Sequence, residues 1–460
     1  MSIADAPSAT DPGTIAAAVL DRAPEHLARC SWTAERIAEH QQVGLRCLLS
    51  HAIEHSSFHG RRLEGLDPSS FSLSDLSRLP IMTKSEMMAD LDGVLTDPRL
   101  TRQVVEDHLA GLGTELDLLN DRYVVIASGG SSGERGVFVY DLPDYIDFSL
   151  SIIRAFAGPV IADWTPGRPT IPAAMIAAGS TAHATGASAR VTGVGGPVEM
   201  TVIGAATPLV AMIERINQIQ PLILAGYPTI MAQLAAAQQA GEMDIRPFVI
   251  GATSDLLTEE ISNRLTAAFG TAPTNTFGSS EGLTGTSVPG ETAISFAGDL
   301  CIVELVDEDN APVEPGVASA KVLVTNLSNL TQPLIRYELS DRFTEVERAE
   351  DHGYLRAVVH GRNDDPFRYR GQELHPSVIR AELVRTPAVF EYQVRQTETG
   401  ADIDVVVASG FDADELSGRL VDALGRAGLD EPEVGVHVVA SIPRSPLTGK
   451  AQRFVALGRP

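Results

Sequence analysis

Residues 201–278 read TVIGAATPLVAMIERINQIQPLILAGYPTIMAQLAAAQQAGEMDIRPFVIGATSDLLTEEISNRLTAAFGTAPTNTFG. The rhythm of that stretch decides the fold. Short aliphatic and β-branched runs (TVIGAATP, PLILAGYPT, PFVIGATSD, APTNTFG) alternate with LVAMIERINQI, IMAQLAAAQQAGE and LLTEEISNRLTAAFG, whose apolar residues recur at helical spacing. Strand, loop and helix in repeated alternation predict an α/β domain with a largely parallel sheet. Ligands of such sheets sit beyond the carboxyl ends of the strands. The loops at Tyr227, at Thr253–Asp255 and after Phe277 are therefore the first candidates for a site.

Outward from that core, 460 residues with 44% apolar content predict two or three globular domains. A net charge of −25 argues against a nucleic-acid footprint and against an anionic membrane surface. It leaves room for a local basic pocket and a small phosphate-bearing ligand. Lys84, Lys321 and Lys450 are the only lysines in an arginine-rich chain, so a lysine inside a motif carries extra weight. Cys30, Cys47 and Cys301 form no Cys-x-x-Cys pair, which points away from zinc knuckles and disulfide frameworks. The opening MSIADAPSATDPG lacks a signal-peptide pattern, and no apolar run reaches about 18–20 residues. The expectation is a soluble cytoplasmic protein.

Upstream, residues 123–140 read YVVIASGGSSGERGVFVY. Gly129, Gly130 and Gly133 let several amide N–H groups converge, and Ser131 and Ser132 add hydroxyls. That chemistry suits a phosphate chain and equally an ordinary hairpin. Residues 129–133 also satisfy G-x-S-x-G, but a nucleophile elbow needs a helix after its serine, and GVFVY reads as a strand. A hydrolase using Ser131 thereby loses its context, and a Walker A loop lacks its Gly-Lys-Ser/Thr. His51, His55 and His59 at i, i+4 and i+8 suggest one helix face. With no carboxylate or Cys cluster at ligand spacing, a polar face running into a turn is the favoured reading over a metal site. Thr83 and Glu86 form a capping-box pattern. HGRNDDP predicts a hinge between two structured segments at about His360–Asp365.

Taken together, the motifs resemble those of the adenylate-forming (acyl-CoA synthetase) superfamily, and most its phenylacetate–CoA ligase branch. ASGGSSGERG resembles the family's phosphate loop, and LPIMTKSEM a stretch found upstream of it. NTFGSSEG resembles the Tyr-Gly-x-Thr-Glu motif and RYELSDR the Tyr-Arg-Thr-Gly-Asp motif. GRNDDPFRYRGQELHPSVIRAEL resembles the hinge motif, and PRSPLTGKAQRF the C-terminal Gly-Lys motif. The matches keep the family's order from Leu79 to Phe454.

The resemblance implies an α/β fold: a large N-terminal AMP-binding domain (1–360) with mixed and parallel sheets and flanking helices, and a small mobile α+β lid (361–460). It implies ATP-dependent activation of a carboxylic acid as its acyl adenylate, release of pyrophosphate, and transfer to CoA or another acceptor. ATP would be held by Ser128, Gly130, Ser131, Ser132 and Gly133, by Thr253, Ser254 and Asp255, by Asn275, Thr276 and Phe277, and by Asp341 and Arg362. In these roles Phe277 stacks on adenine and Asp341 binds the ribose. Glu281 would bind Mg2+, Ser280 contact the α-phosphate, and Lys450 bridge carboxylate and α-phosphate. Tyr227, Gly278 and Ser279 would line the acyl pocket, and Asp364 would be the hinge. The branch implies an aryl acid. Its members also pass adenylates to a carrier protein or an amine, and some activate nitrite for diazotisation of an arylamine.

Departures accompany the match. Glu134 stands where the family has a loop lysine, and Arg135 replaces its proline. A carboxylate beside a triphosphate is repulsive unless Arg135 supplies the lost charge. Thr253 stands where the branch often has glutamate. These changes suggest a specialised member, from secondary metabolism, and raise the alternative of an adenylate-binding module without catalysis.

Overall fold

The computed structural model describes residues 11–457 except 129–135, 163, 166, 178–179, 194–196, 206, 256, 348–352, 363–366, 370–371, 375–376, 385, 387, 409 and 445–452. Gly130, Ser131, Ser132, Gly133, Glu134, Arg135, Asp364 and Lys450 lie outside the described residues.

Helices α1 (Pro12–Arg29), α2 (Ala34–His55), α3 (Ser57–Arg62), α4 (Lys84–Ala89), α5 (Leu91–Val94) and α6 (Arg102–Gly111) precede the hairpin of β1 (Tyr123–Ala127) and β2 (Val137–Asp141). After α7 (Leu142–Ala162) the expected alternation runs through β3 (Ile171–Ala177), α8 (Ala184–Thr192), β4 (Val198–Gly204), α9 (Leu209–Ile219), β5 (Ile223–Gly226), α10 (Pro228–Ala240), β6 (Val249–Thr253), α11 (Glu259–Phe269) and β7 (Thr274–Gly278). A strand-rich run follows: β8 (Thr284–Ser287), β9 (Ile294–Phe296), β10 (Cys301–Val306), β11 (Lys321–Asn326), β12 (Tyr337–Leu339), β13 (Asp341–Glu345) and β14 (Arg356–Arg362). The chain closes with β15 (Phe367–Tyr369), β16 (Gln372–Leu374), α12 (Ser377–Val384), β17 (Val389–Gln396), β18 (Gly400–Val407), α13 (Ala413–Arg426), β19 (Glu433–Val438) and β20 (Phe454–Val455).

Local chemistry sets these boundaries. The Thr258 hydroxyl accepts from the Ile261 N–H at 3.2 Å and starts α11. Gly241 (φ 78°) and Gly270 (φ 75°) end α10 and α11 in the left-handed conformation that glycine adopts without a Cβ penalty. The Thr83–Glu86 capping box forms as its sequence indicates: each side chain accepts from the other's backbone N–H, at 3.3 and 2.9 Å. The three histidines divide differently from a single face. Ser56 breaks the helix, leaving His51 and His55 on α2 and His59 on α3. His59 is buried, and its Nε2 lies 2.9 Å from the Pro333 carbonyl, while burial lowers its pKa to about 4. It is a packed neutral histidine.

Nine strands form the main sheet, in the order β13-β14-β9-β8-β7-β6-β5-β3-β4. Neighbours are parallel from β4 to β7 and antiparallel from β7 to β13. The reason is connection length: helical crossovers join the parallel strands, and short turns from β7 to β9 permit only antiparallel return. One core lies around the β1–β2 hairpin and α7, and another under β3–β6 with α9–α11. A third is drawn from Phe367 to Phe454 alone. β14, just before it in the chain, still pairs within the main sheet.

Candidate functional site

The neck of the glycine- and serine-rich loop is closed by two bonds. Ser128 N–H donates to Gly136 O, and Gly136 N–H donates to the Ser128 hydroxyl, each at 2.9 Å. A strand, β2, follows the loop, which removes the context a nucleophile elbow requires. The outer edge of β2 is not left bare. Val139 N–H donates to Gln332 Oε1 at 2.7 Å, and Val139 O accepts from Asn329 Nδ2 at 2.9 Å. Gln332 Nε2 donates to Val137 O at 3.0 Å. Two amide side chains thus take the place of a third strand and fix where the loop starts and ends.

From the other side, β7 delivers the turn that carries Ser279, Ser280 and Glu281. The Gly282 N–H donates to Ser279 O at 3.0 Å, and Gly282 adopts φ 103°. A Cβ there would fall 2.0 Å from Asn326 Nδ2, which is itself occupied in donating to Glu281 O at 3.0 Å. Only glycine fits between them. The Tyr140 hydroxyl donates to Ser280 O at 2.7 Å, so the end of the hairpin is bonded to this turn. Burial drives the Tyr140 pKa well above its ordinary value and keeps the phenol a donor.

Glu281 is 4% exposed, and its carboxylate makes no hydrogen bond or ion pair with another described residue. A buried carboxylate left without such a partner is costly unless something positive joins it. The hydroxyl oxygens of Thr276 and Ser279 are likewise buried without partners. A single hard oxygen donor of this kind fits Mg2+, which binds through one or two carboxylates plus substrate phosphates. Among the described residues no group of three or more His, Cys, Asp or Glu forms a metal cage.

The remaining candidates lie on β6, β7, β13 and β14 and at the start of α10. Phe277 is half-buried, with Phe296 and Phe343 edge-on at 5.6 and 5.4 Å. Asn275 is tied into the sheet: its N–H donates to the Ser287 hydroxyl at 2.9 Å and its Nδ2 to Thr292 O at 3.4 Å. Asp341 opens β13 opposite Arg362, of which only the backbone is described, so these two expected nucleotide contacts share one rung. Thr253 ends β6, and Ser254 follows with φ 67°, a strained left-handed conformation for a residue other than glycine. Asp255 accepts from the Thr229 hydroxyl at 3.0 Å. Tyr227 is the N-cap residue of α10 and is 1% exposed, packed in the cluster of Ile176, Leu224 and Met231. The side chain beside Gly278 is Ile152 of α7, 3.7 Å from where a Cβ would stand.

Sequence reasoning missed Asn326, Asn329, Gln332, Tyr140 and Ile152. The signal available was a run of amides, TNLSNLTQ, embedded between apolar segments. Buried amides must be bonded, but nothing local says to what.

No family model and no curated protein matches the sequence. Solved structures do match. A 2-hydroxyisobutyryl-CoA ligase in the postadenylation state, in complex with R3-HIB-AMP, superposes with TM-score 0.68 at 18% identity, covering 93% of this chain and 91% of that one. The same ligase in the thioesterification state, with 2-HIB-AMP and CoA, gives 0.55 at 19% identity over 93% and 91%. ATP-bound MatB from Rhodopseudomonas palustris gives 0.50 at 18% identity over 72% of this chain and 66% of that one. The chain therefore has the fold of the adenylate-forming ligases.

Proposed function

We propose that the protein is an ATP-dependent adenylate-forming ligase. A carboxylate oxygen of the substrate attacks the α-phosphorus of ATP, the bond to pyrophosphate breaks, and an acyl adenylate results. A thiol, CoA in the simplest case, then attacks the acyl carbon and displaces AMP. The observation that carries this reading is the buried Glu281 carboxylate, without a bonded partner among the described residues, on a turn that the Tyr140–Ser280 bond ties to β2 of the glycine-rich hairpin. The fold and its ligand-bound neighbours add support.

In this reading Glu281 holds Mg2+, and when bound the metal neutralises phosphate charge. The backbone N–H groups of the 129–133 loop cradle the phosphates, Asp341 accepts from the ribose, and Phe277 with Thr253–Asp255 flanks the base. Lys450 neutralises the charge that gathers as the carboxylate attacks, because fixed charges aimed at the transition state supply most catalysis of this kind. The domain boundary is placed at 360/361, supported by the separate core that begins at Phe367. The higher TM-score against the postadenylation state favours an arrangement of the two domains suited to the first half-reaction. An aryl acid is the proposed substrate class.

ATP–pyrophosphate exchange with benzoate, phenylacetate, anthranilate and 2-hydroxyisobutyrate, each with and without nitrite, tests the reading. Acid-dependent exchange supports it. Nucleotide binding without exchange under any condition points instead to a silent adenylate-binding module, and nitrite-dependent turnover on an arylamine to diazotisation.

A further inference from the structure

Arg453 leads into β20, and its guanidinium crosses from the C-terminal core to the end of β6. Its Nη2 lies 2.9 Å from both carboxylate oxygens of Asp255, and the guanidinium carbon sits 5.4 Å from the centre of the Tyr392 ring. Arg444 pairs with Oε1 of Glu391 on β17. The other oxygen of Glu391 accepts from Gln233 of α10 at 3.3 Å. Glu391 is 3% exposed. Two arginines and two carboxylates therefore neutralise one another along the seam between α10 and β6 on one side and β17 and β20 on the other. The seam also encloses a cavity of about 30 Å³, lined from both sides by Thr229, Arg264, Glu391, Tyr392 and Arg453.

The composition of this seam suits a contact that is made and broken. Parting an apolar interface exposes surface that water resists, whereas parted ion pairs regain hydration. Arg444 and Arg453 also bracket residues 445–452 in the chain. Lys450 is three residues before Arg453, so chain length alone keeps its Cα within about 11 Å of that of Arg453.

We propose that Arg453 with Asp255, and Arg444 with Glu391, are positioning residues: they clamp the C-terminal domain onto α10 and β6 for adenylate formation and let go for thiol transfer. This deepens the ligase reading and rests on it for the assignment of half-reactions. The clamp itself can be tested without it.

Arg453→Met keeps the apolar stem and removes the charge. Hydrogen–deuterium exchange on the full chain is expected to quicken in residues 228–240 and 389–396, with the β3–β4 pair unchanged. With an acid that supports ATP–pyrophosphate exchange, kcat is expected to fall about tenfold or more, with KM for ATP nearly constant. Arg453→Lys is expected to restore most of the rate. Thiolysis of a synthetic benzoyl adenylate by CoA is expected to persist or rise. If Arg453→Met does not fold, Gln233→Leu, which cuts only the bond from α10 to Glu391, should show the same changes at smaller size. Unaltered hydrogen exchange, or equal loss of both half-reactions, overturns the clamp. Altered hydrogen exchange in a protein whose wild type activates none of the acids upholds the clamp and overturns the ligase reading.

Discussion

The Tyr140 hydroxyl and the Ser280 carbonyl, 2.7 Å apart, join the end of the glycine-rich hairpin to the turn that presents Glu281. The bond spans 140 positions of sequence and ties β2, at its end away from the glycine-rich loop, to the turn that carries Glu281. Tyr140→Phe keeps the ring packed on Tyr145 and Phe148 but takes the phenol donor from the part-buried Ser280 carbonyl. It is expected to cost about 1–3 kcal/mol and to reduce ATP–pyrophosphate exchange. Urea unfolding and exchange kinetics check both; wild-type values in both would remove Tyr140 from the site.

Glu281→Gln separates stability from function. The carboxylate makes no hydrogen bond or ion pair with another described residue, so an amide of the same shape removes no such contact. The melting temperature is expected to hold while Mg2+-dependent exchange falls by on the order of 10²-fold. An unchanged Mg2+ dependence in the variant would show that the metal is held elsewhere.

Lys450→Ala is expected to lower adenylate formation by on the order of 10²–10³, with ATP binding and thiolysis of a pre-made adenylate largely retained. The comparison is made by running the two half-reactions separately. A solvated loop lysine would show no such split.

Asp144 opens α7 between two other acids. Burial first, then Asp141 and Asp147, raise its pKa to about 7, against the opposing pull of Arg22 and Arg122. A carboxyl whose pKa is raised by folding binds its proton more tightly in the native state. Its contribution to stability is complete below its unfolded pKa, near 4, and is lost as pH rises through about 7. Asp144→Asn fixes the neutral form. The variant is expected to exceed wild type at pH 8 by on the order of 2 kcal/mol, less than burial alone implies because a helix N-terminus favours negative charge. Melting curves from pH 5 to 8 decide: parallel curves for the two proteins would contradict the assignment.

What the sequence discloses follows from range. The alternation from β4 to β7 is legible because it repeats within about 25 residues, and the capping box at Thr83 and Glu86 because it spans a single turn. The antiparallel half of the main sheet is not visible in that rhythm, since direction is set by the short turns after β7. Asn329 serves Val139 across 190 positions, and Arg453 meets Asp255 across 198. No local pattern encodes such partners. The histidine series shows the converse hazard: spacing suggested one face, and a single serine cap redirected the chain between His55 and His59.

The amide bonds along β2 bear on how this chain can vary. In most hairpins the turn dictates strand register, so changing the turn shifts every side chain after it. Here Asn329 and Gln332 hold Val137 and Val139 from outside, and Ser128 with Gly136 ties the base. Alignment of the strands is thereby uncoupled from the residues between them. Replacing segment 129–135, with a lysine for Glu134 or a proline for Arg135, is therefore expected to leave the β1–β2 register in place, which makes transplanting the segment from a distant relative a practical engineering route.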